Sequence, residues 1–197
     1  RDACRGRLFI VLHTYGSHFC YRERYPREFA FFKPDIRDEA KAENREDLIN
    51  AYDNTILYTD YILGEIADML QQSGRTAAMM YTSDHGENIF DDDRNLFLHA
   101  SPRPSWYELH VPLVVWLSEA YSIRHVAQAK ALADNSKKEV ETSRSVFHTM
   151  TGMAGISMEA SDMTANFASP MYREKPRSYL TDHNTQTDAP FNTKCNN

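Results

Sequence analysis

The chain has 197 residues, 42% hydrophobic and 25% charged, which is the composition of one ordinary globular domain with a core of its own. A net charge of −6 suggests no nucleic-acid partner. The longest apolar run, near Val111–Leu117, is far short of the ~20 residues that span a bilayer.

The chain opens Arg1-Asp2-Ala3-Cys4-Arg5, with neither an initiating Met nor a signal-peptide pattern, and is expected to be a piece of a longer protein. Cys4, Cys20 and Cys195 are an odd set: one bridge plus a free thiol, three free thiols, or a partner elsewhere all fit. Leu8–Leu12 is a continuous apolar run rich in β-formers and predicts a buried strand. It delivers His13-Thr14-Tyr15-Gly16-Ser17-His18, two histidines flanking a glycine just past a strand end. They fit a ligand-binding turn, or one buried and one surface histidine. Residues 19–34 are aromatic and interrupted by Pro26 and Pro34, which predicts an irregular loop with a turn of helix. Arg22, Arg24 and Arg27 within it read as a solvated face or as contacts to an anionic substrate.

Leu48, Tyr52, Ile56, Leu63, Ile66, Ala67 and Leu70 recur at helical spacing, and Glu46 and Asp47 favour the N-terminal end of the dipole. Gly74 is the expected stop. The polar residues Asn50, Asp53 and Asn54 read as a solvated helix face, with one of them approaching the site as the alternative. After Ser73-Gly74, the short run Ala77–Tyr81 predicts a second buried strand. Asp84 and His85 follow it, at the strand end where ligands collect in open α/β sheets. A carboxylate beside an imidazole suits zinc. The alternative is a helix-capping Asp next to a solvated His. Gly86 then permits a sharp turn or a close approach.

Asp91-Asp92-Asp93 lacks the alternating acidic spacing and glycine of a calcium loop and reads as solvated. Leu96-Phe97-Leu98-His99 brings a further histidine, and Trp106–His110 predicts a helical turn. Val111–Leu117 predicts a third strand, with Pro112 tolerated near its start. Helices are expected over 123–132 and 143–154, the latter ended by Gly155, and a late strand over 176–180. Strand–helix–strand alternation predicts an α/β/α sandwich with a largely parallel central sheet. Residues 184–197 are expected to be a polar, poorly ordered tail.

In order, the blocks His13-Thr14-x-Gly16-Ser17-His18, Ser83-Asp84-His85-Gly86-Glu87, Leu98-His99-x-x-Pro102 and His110-Val111-Pro112 resemble the catalytic domain of phosphoethanolamine transferases, in the alkaline-phosphatase/sulfatase superfamily. Asn50–Thr55 and Val146–Thr149 resemble that family's helices, so the likeness covers roughly residues 8–155. Asp-His-Gly is common to the superfamily, whereas the His-Thr-x-Gly-Ser-His block is much more specific. The resemblance implies an alkaline-phosphatase-like fold, with residues 1–183 the C-terminal part of a catalytic domain. It also implies Zn2+ held by Asp84 and His85, catalytic roles for His18 and His99, and substrate phosphate bound by His13, His18 and His99.

The implied reaction transfers phosphoethanolamine from a phospholipid donor, phosphatidylethanolamine, to a cell-envelope glycolipid such as lipid A. The implied place is the bacterial inner membrane with the catalytic domain in the periplasm, attached through a membrane segment absent from these residues. The family's nucleophilic Thr and first acidic zinc ligand precede the block at His13, so this chain alone is expected to be inactive. The family usually has Gly where this chain has Ala100, which mildly restricts the backbone. The alternatives are a sulfatase or phosphodiesterase of the same superfamily, and a catalytically dead envelope-binding domain.

Overall fold

The helical spacing between Leu48 and Leu70 produces the longest element of the computed structural model, which describes residues 6–181 and 185–188. This helix, α1, runs Arg45–Gln72 and stops where predicted: Gly74 takes φ +62° and its N–H donates to the Gln71 carbonyl. The chain divides into two compact units, Arg1–Ile62 and Leu63–Asn197, each with its own internal packing.

In the first unit, the opening half of α1 grips an irregular loop. Two single 3-10 turns, Tyr21–Glu23 and Arg27–Phe29, lie in that loop. The helix face turned to it is polar, not solvated as expected. Asn54 is fully buried; its Oδ1 accepts from the Phe31 and Phe32 N–H groups, and its Nδ2 donates to the Phe32 carbonyl. Asp47, also buried, accepts from the Ile36 and Arg37 N–H groups and from the Arg37 guanidinium. Loop amides that would otherwise be orphaned explain why polar residues stand where helical periodicity calls for apolar ones.

Hydrogen bonds from the Arg37 side chain, then from backbone N–H groups, hold the Asp47 carboxyl below its ordinary value. A depressed folded-state value stabilises above the unfolded carboxylate range of about 4, and that stability is lost as pH falls through the folded value. Asp47→Asn should therefore melt below the parent at pH 7. The two melting curves should converge as pH falls below about 4; parallel melting-temperature profiles would contradict this.

Leu8–Leu12 departs from expectation. The segment carries no strand assignment and each side chain is 63–71% exposed. An apolar run marks what can be buried, but not whether a ladder partner is at hand, and the described residues offer this one none.

The second unit begins its sheet with β1, Ala78–Thr82, which pairs antiparallel with β4, Leu113–Leu117, from Ala78↔Leu117 to Thr82↔Leu113. Pro112 falls just outside this ladder, where its missing N–H costs no pairing. Two short strands lie between them, β2 (Asn88–Ile89) and β3 (Phe97–Leu98), also antiparallel. The helix α2, Trp106–Leu109, precedes β4. Helices α3 (Glu119–Arg124), α4 (Val126–Asn135) and α5 (Thr142–Met153) follow. Tyr121, Leu132, Met153, Phe167, Ala168 and Tyr172 form the core, with Met80, Val115, Leu117 and Val140 packed against it. The Tyr121 hydroxyl donates within this core to the Met153 carbonyl, and burial pushes its pKa up to about 12.

The late strand is present as β5, Ser178–Thr181, and pairs with β6, Thr185–Asp188, inside the region expected to be tail. The rest of that tail, with Cys195, lies outside the described residues, as does Cys4; Cys20 is a free thiol. The architecture mixes helices and strands as an α/β fold, but every strand pair among the described residues is antiparallel. The expected parallel order needed Leu8–Leu12 as a sheet member. Without it, β1 pairs only with the strand that returns after α2.

Candidate metal centre

β1 ends at Thr82 and the backbone leaves the sheet through Ser83-Asp84-His85-Gly86. The Ser83 hydroxyl donates to the His85 carbonyl, and the His85 N–H donates back to Asp84 Oδ1, so this turn is tied to itself. Gly86 is indispensable here for its missing side chain. A Cβ at this position would lie 1.9 Å from the Tyr107 carbonyl oxygen and 3.1 Å from its carbon. Its N–H donates to the Glu108 carbonyl at 2.8 Å. The close approach that the glycine permits is thus to the backbone of α2.

α2 is a four-residue hub. Ser105 caps it and Glu108 returns the bond in a capping box. The buried Glu108 carboxylate accepts from the N–H groups of Ser105 and Ser101 at 2.7 and 3.1 Å. Asn88, fully buried, accepts from the Ser105 hydroxyl and donates to the Leu98 carbonyl. Residues on both sides of His99 are in this way fastened to the turn that carries His85.

The imidazoles of His85 and His99 meet with ring centroids 3.7 Å apart. His85 Nδ1 faces the Gly86 carbonyl at 2.9 Å, which makes Nδ1 the protonated nitrogen and leaves Nε2 as the donor to a metal. Nε2 lies 3.7 Å from Asp84 Oδ2. His99 Nδ1 lies 3.3 Å from Glu87 Oε1, and the Glu87 side chain is only 5% exposed. Ligand atoms on a tetrahedral zinc with ~2.1 Å bonds stand ~3.4 Å apart, so both imidazole–carboxylate pairs have the spacing of metal ligands. His85, Glu87 and His99 each place one ligand atom within 4.8 Å of the others. Two imidazoles with carboxylates are a donor set suited to zinc.

Asp84 is the most exposed member, with 85% of its side chain open. Burial pushes its carboxyl up, but the facing His85 and hydrogen bonds from the backbone and Ser83 outweigh this and hold it below its ordinary value. It is ionised at neutral pH, the form that can hold a cation.

The sequence reading missed Glu87. The signal was available: a carboxylate two residues past a histidine in the same turn, ahead of a buried strand. His13 and His18 belong to the first unit. There the Thr55 hydroxyl on α1 bonds Ser17, and Arg24 donates from its side chain to the carbonyls of His18 and Phe19 at 3.1 and 3.3 Å. Arg24 also lies over the Tyr15 ring. It is therefore a brace for the His13–His18 block. The acidic triplet is likewise structural: Asp91 accepts from the Ile89 N–H and Asp92 pairs with Arg94.

Backbone strain gathers beside the centre. Phe90, Asn95, Leu98 and Ala100 all have positive φ, Ala100 at +68°. A Cβ in this region costs roughly 1–2 kcal/mol, partly offset by the greater unfolded-state freedom of glycine. Ala100→Gly should raise stability by about 0.5–1 kcal/mol in urea unfolding. A loss of stability would mean that the strain is not carried at that residue.

The sulfatase family model matches residues 3–156, and the chain belongs to that family. Within it, the chain is similar to phosphoethanolamine transferases. Phosphoethanolamine transferase EptA of Salmonella typhimurium is 36% identical over 162 residues, which is 79% of this chain and 29% of that protein. The Kdo(2)-lipid A phosphoethanolamine 7''-transferase of Escherichia coli is 36% identical over 137 residues, 68% of this chain and 23% of that protein. The chain thus spans under a third of the length of these relatives. The C-terminal periplasmic domain of EcEptC from Escherichia coli, solved in complex with zinc, superposes with a TM-score of 0.75 at 23% identity, covering 88% of this chain and 49% of that one. The integral membrane lipooligosaccharide phosphoethanolamine transferase A of Neisseria meningitidis gives 0.73 at 29% identity, covering 79% and 30%. The alkaline-phosphatase-like α/β fold expected from the sequence therefore stands.

Proposed function

We propose that the intact protein transfers phosphoethanolamine from phosphatidylethanolamine to a cell-envelope glycolipid of the lipid A type, at the periplasmic side of the bacterial inner membrane. The observation that carries this reading is the pair of imidazole–carboxylate sets, His85 with Asp84 and His99 with Glu87, fastened side by side by α2. The relatives act as phosphoethanolamine transferases by name, which selects this chemistry within the sulfatase family. Among the described residues no helix is long and apolar enough to cross a membrane, so membrane attachment is assigned to a further segment of the intact protein.

Asp84 and His85 are the proposed zinc ligands, and zinc bound there supplies Lewis-acid stabilisation of phosphoryl charge. His99 contacts the phosphoryl oxygens and protonates the departing oxygen, with Glu87 orienting its ring. His18 is assigned the same kind of role, and His13 binds substrate phosphate. The nucleophile is a threonine of the kind the family resemblance implies.

The test is expression of the intact protein in membranes, with lipid products read by mass spectrometry. The glycolipid should gain phosphoethanolamine and the phospholipid donor should become diacylglycerol. Release of sulfate from an aryl sulfate, with no modified glycolipid, would overturn the transferase reading and favour a sulfatase.

A further inference from the structure

We propose that a cavity in the first unit, walled by Arg22, Arg27 and Lys33, is a binding site for a phosphate group that shares no residue with the metal centre. The cavity encloses about 320 Å³, at the small end of ligand pockets and of a size for a polar head group. Tyr25 and Asp35 also line it.

Three cationic side chains surround one carboxylate. Asp35 is 3% exposed and is held by the Tyr25 hydroxyl at 2.8 Å and by Lys33 at 3.1 Å. Burial pushes the Asp35 carboxyl up, but these two bonds and the charges of Lys33 and Arg22 outweigh it, so Asp35 is ionised and offsets one of the three cations. The cavity keeps a surplus of positive charge. One N–H of Arg22, on Nη1, donates to the Ile36 carbonyl at 3.3 Å, which anchors a guanidinium that has five donors in all. Two guanidinium groups at one cavity match the oxygens of a phosphate, which they pair with bidentately.

The walls are preorganised. α1 straps the loop behind the cavity through Asn54 to Phe31 and Phe32, Asn50 to Pro34, and Asp47 to Ile36 and Arg37. A rigid site loses little entropy on binding. The whole chain carries −6, so a phosphate drawn to it is drawn by this local charge and not by the general field. Phe31, in the strapped loop, is 74% exposed and offers an apolar side chain to a lipid surface.

The experiment uses the chain with EDTA present, so that the donors at residues 84–99 carry no metal. Inorganic phosphate is titrated by calorimetry, and co-sedimentation is measured with phosphatidylcholine vesicles with and without phosphatidylglycerol. Saturable phosphate binding assigns a free phosphate; binding only to vesicles that contain phosphatidylglycerol assigns a lipid head group. Either should weaken roughly tenfold or more in Arg22→Gln/Arg27→Gln, the loss expected for charge-assisted bonds. Arg27→Gln alone should show part of that loss even if Arg22→Gln loosens the Ile36 contact, and Arg27→Lys should restore part of it. Binding of neither probe, or equal binding by parent and double variant, would overturn the proposal.

Discussion

Gly86→Ala is expected to be the most damaging conservative substitution in the second unit. A methyl group there would meet the Tyr107 carbonyl oxygen at 1.9 Å. The obstacle is backbone, so no side chain can swing away to admit it. Either the turn carrying Asp84 and His85 withdraws from α2, or α2 moves. Both break the bond from the Gly86 N–H to the Glu108 carbonyl. Overpacking of this kind costs roughly 1–3 kcal/mol, and the lost bond adds about 1 kcal/mol. Urea unfolding should show a loss of roughly 2–4 kcal/mol. Because α2 also holds Ser101 through Glu108, the same change should separate His85 from His99, so metal binding should fall together with stability. Stability within about 0.5 kcal/mol of the parent, the ordinary range for surface substitutions, would contradict the close approach.

His99→Ala should have the opposite profile, with activity lost and the fold kept. Its side chain is 35% exposed, beyond the two-residue strand β3, and is no part of the hydrophobic core, so the fold should survive its loss. In the intact enzyme, turnover should fall by roughly 10²–10³-fold, the usual effect of removing a group aimed at transition-state charge. KM should change much less, because the interaction strengthens as phosphoryl charge is redistributed. Glu87→Gln keeps the shape but removes the charge facing His99 Nδ1, and should lower turnover by roughly 10–100-fold. Unimpaired turnover in His99→Ala would remove this residue from the chemistry.

Much of the architecture is legible from residue pattern, for reasons that can be named. α1 spans many turns, so its periodicity is strong, and Gly74 marks its end. β1 and β4 are short apolar runs, the first with a turn signal in front, and both are present. Asp84, His85 and His99 are visible because their residue types are chemically distinctive at strand ends. What was hidden depends on distant partners. Gly86 is needed because of Tyr107, and Asn54 is buried because of Phe31 and Phe32. No local pattern encodes either pairing. Leu8–Leu12 shows the same limit from the other side: strand composition is local, whereas a ladder requires a neighbour. Among the three arginines of the loop, sequence alone could not separate Arg24, which braces His18, from Arg22 and Arg27, which face a cavity.

Calorimetric titration of zinc into the chain and its variants is the most direct test of metal binding at residues 84–99. The parent should bind with saturable heat. Asp84→Ala and His85→Ala should each weaken binding by at least roughly tenfold, and His99→Ala and Glu87→Gln, which alter groups beside the ligands, should weaken it less. Tight stoichiometric binding that none of these substitutions disturbs would place the metal elsewhere and contradict the assignment.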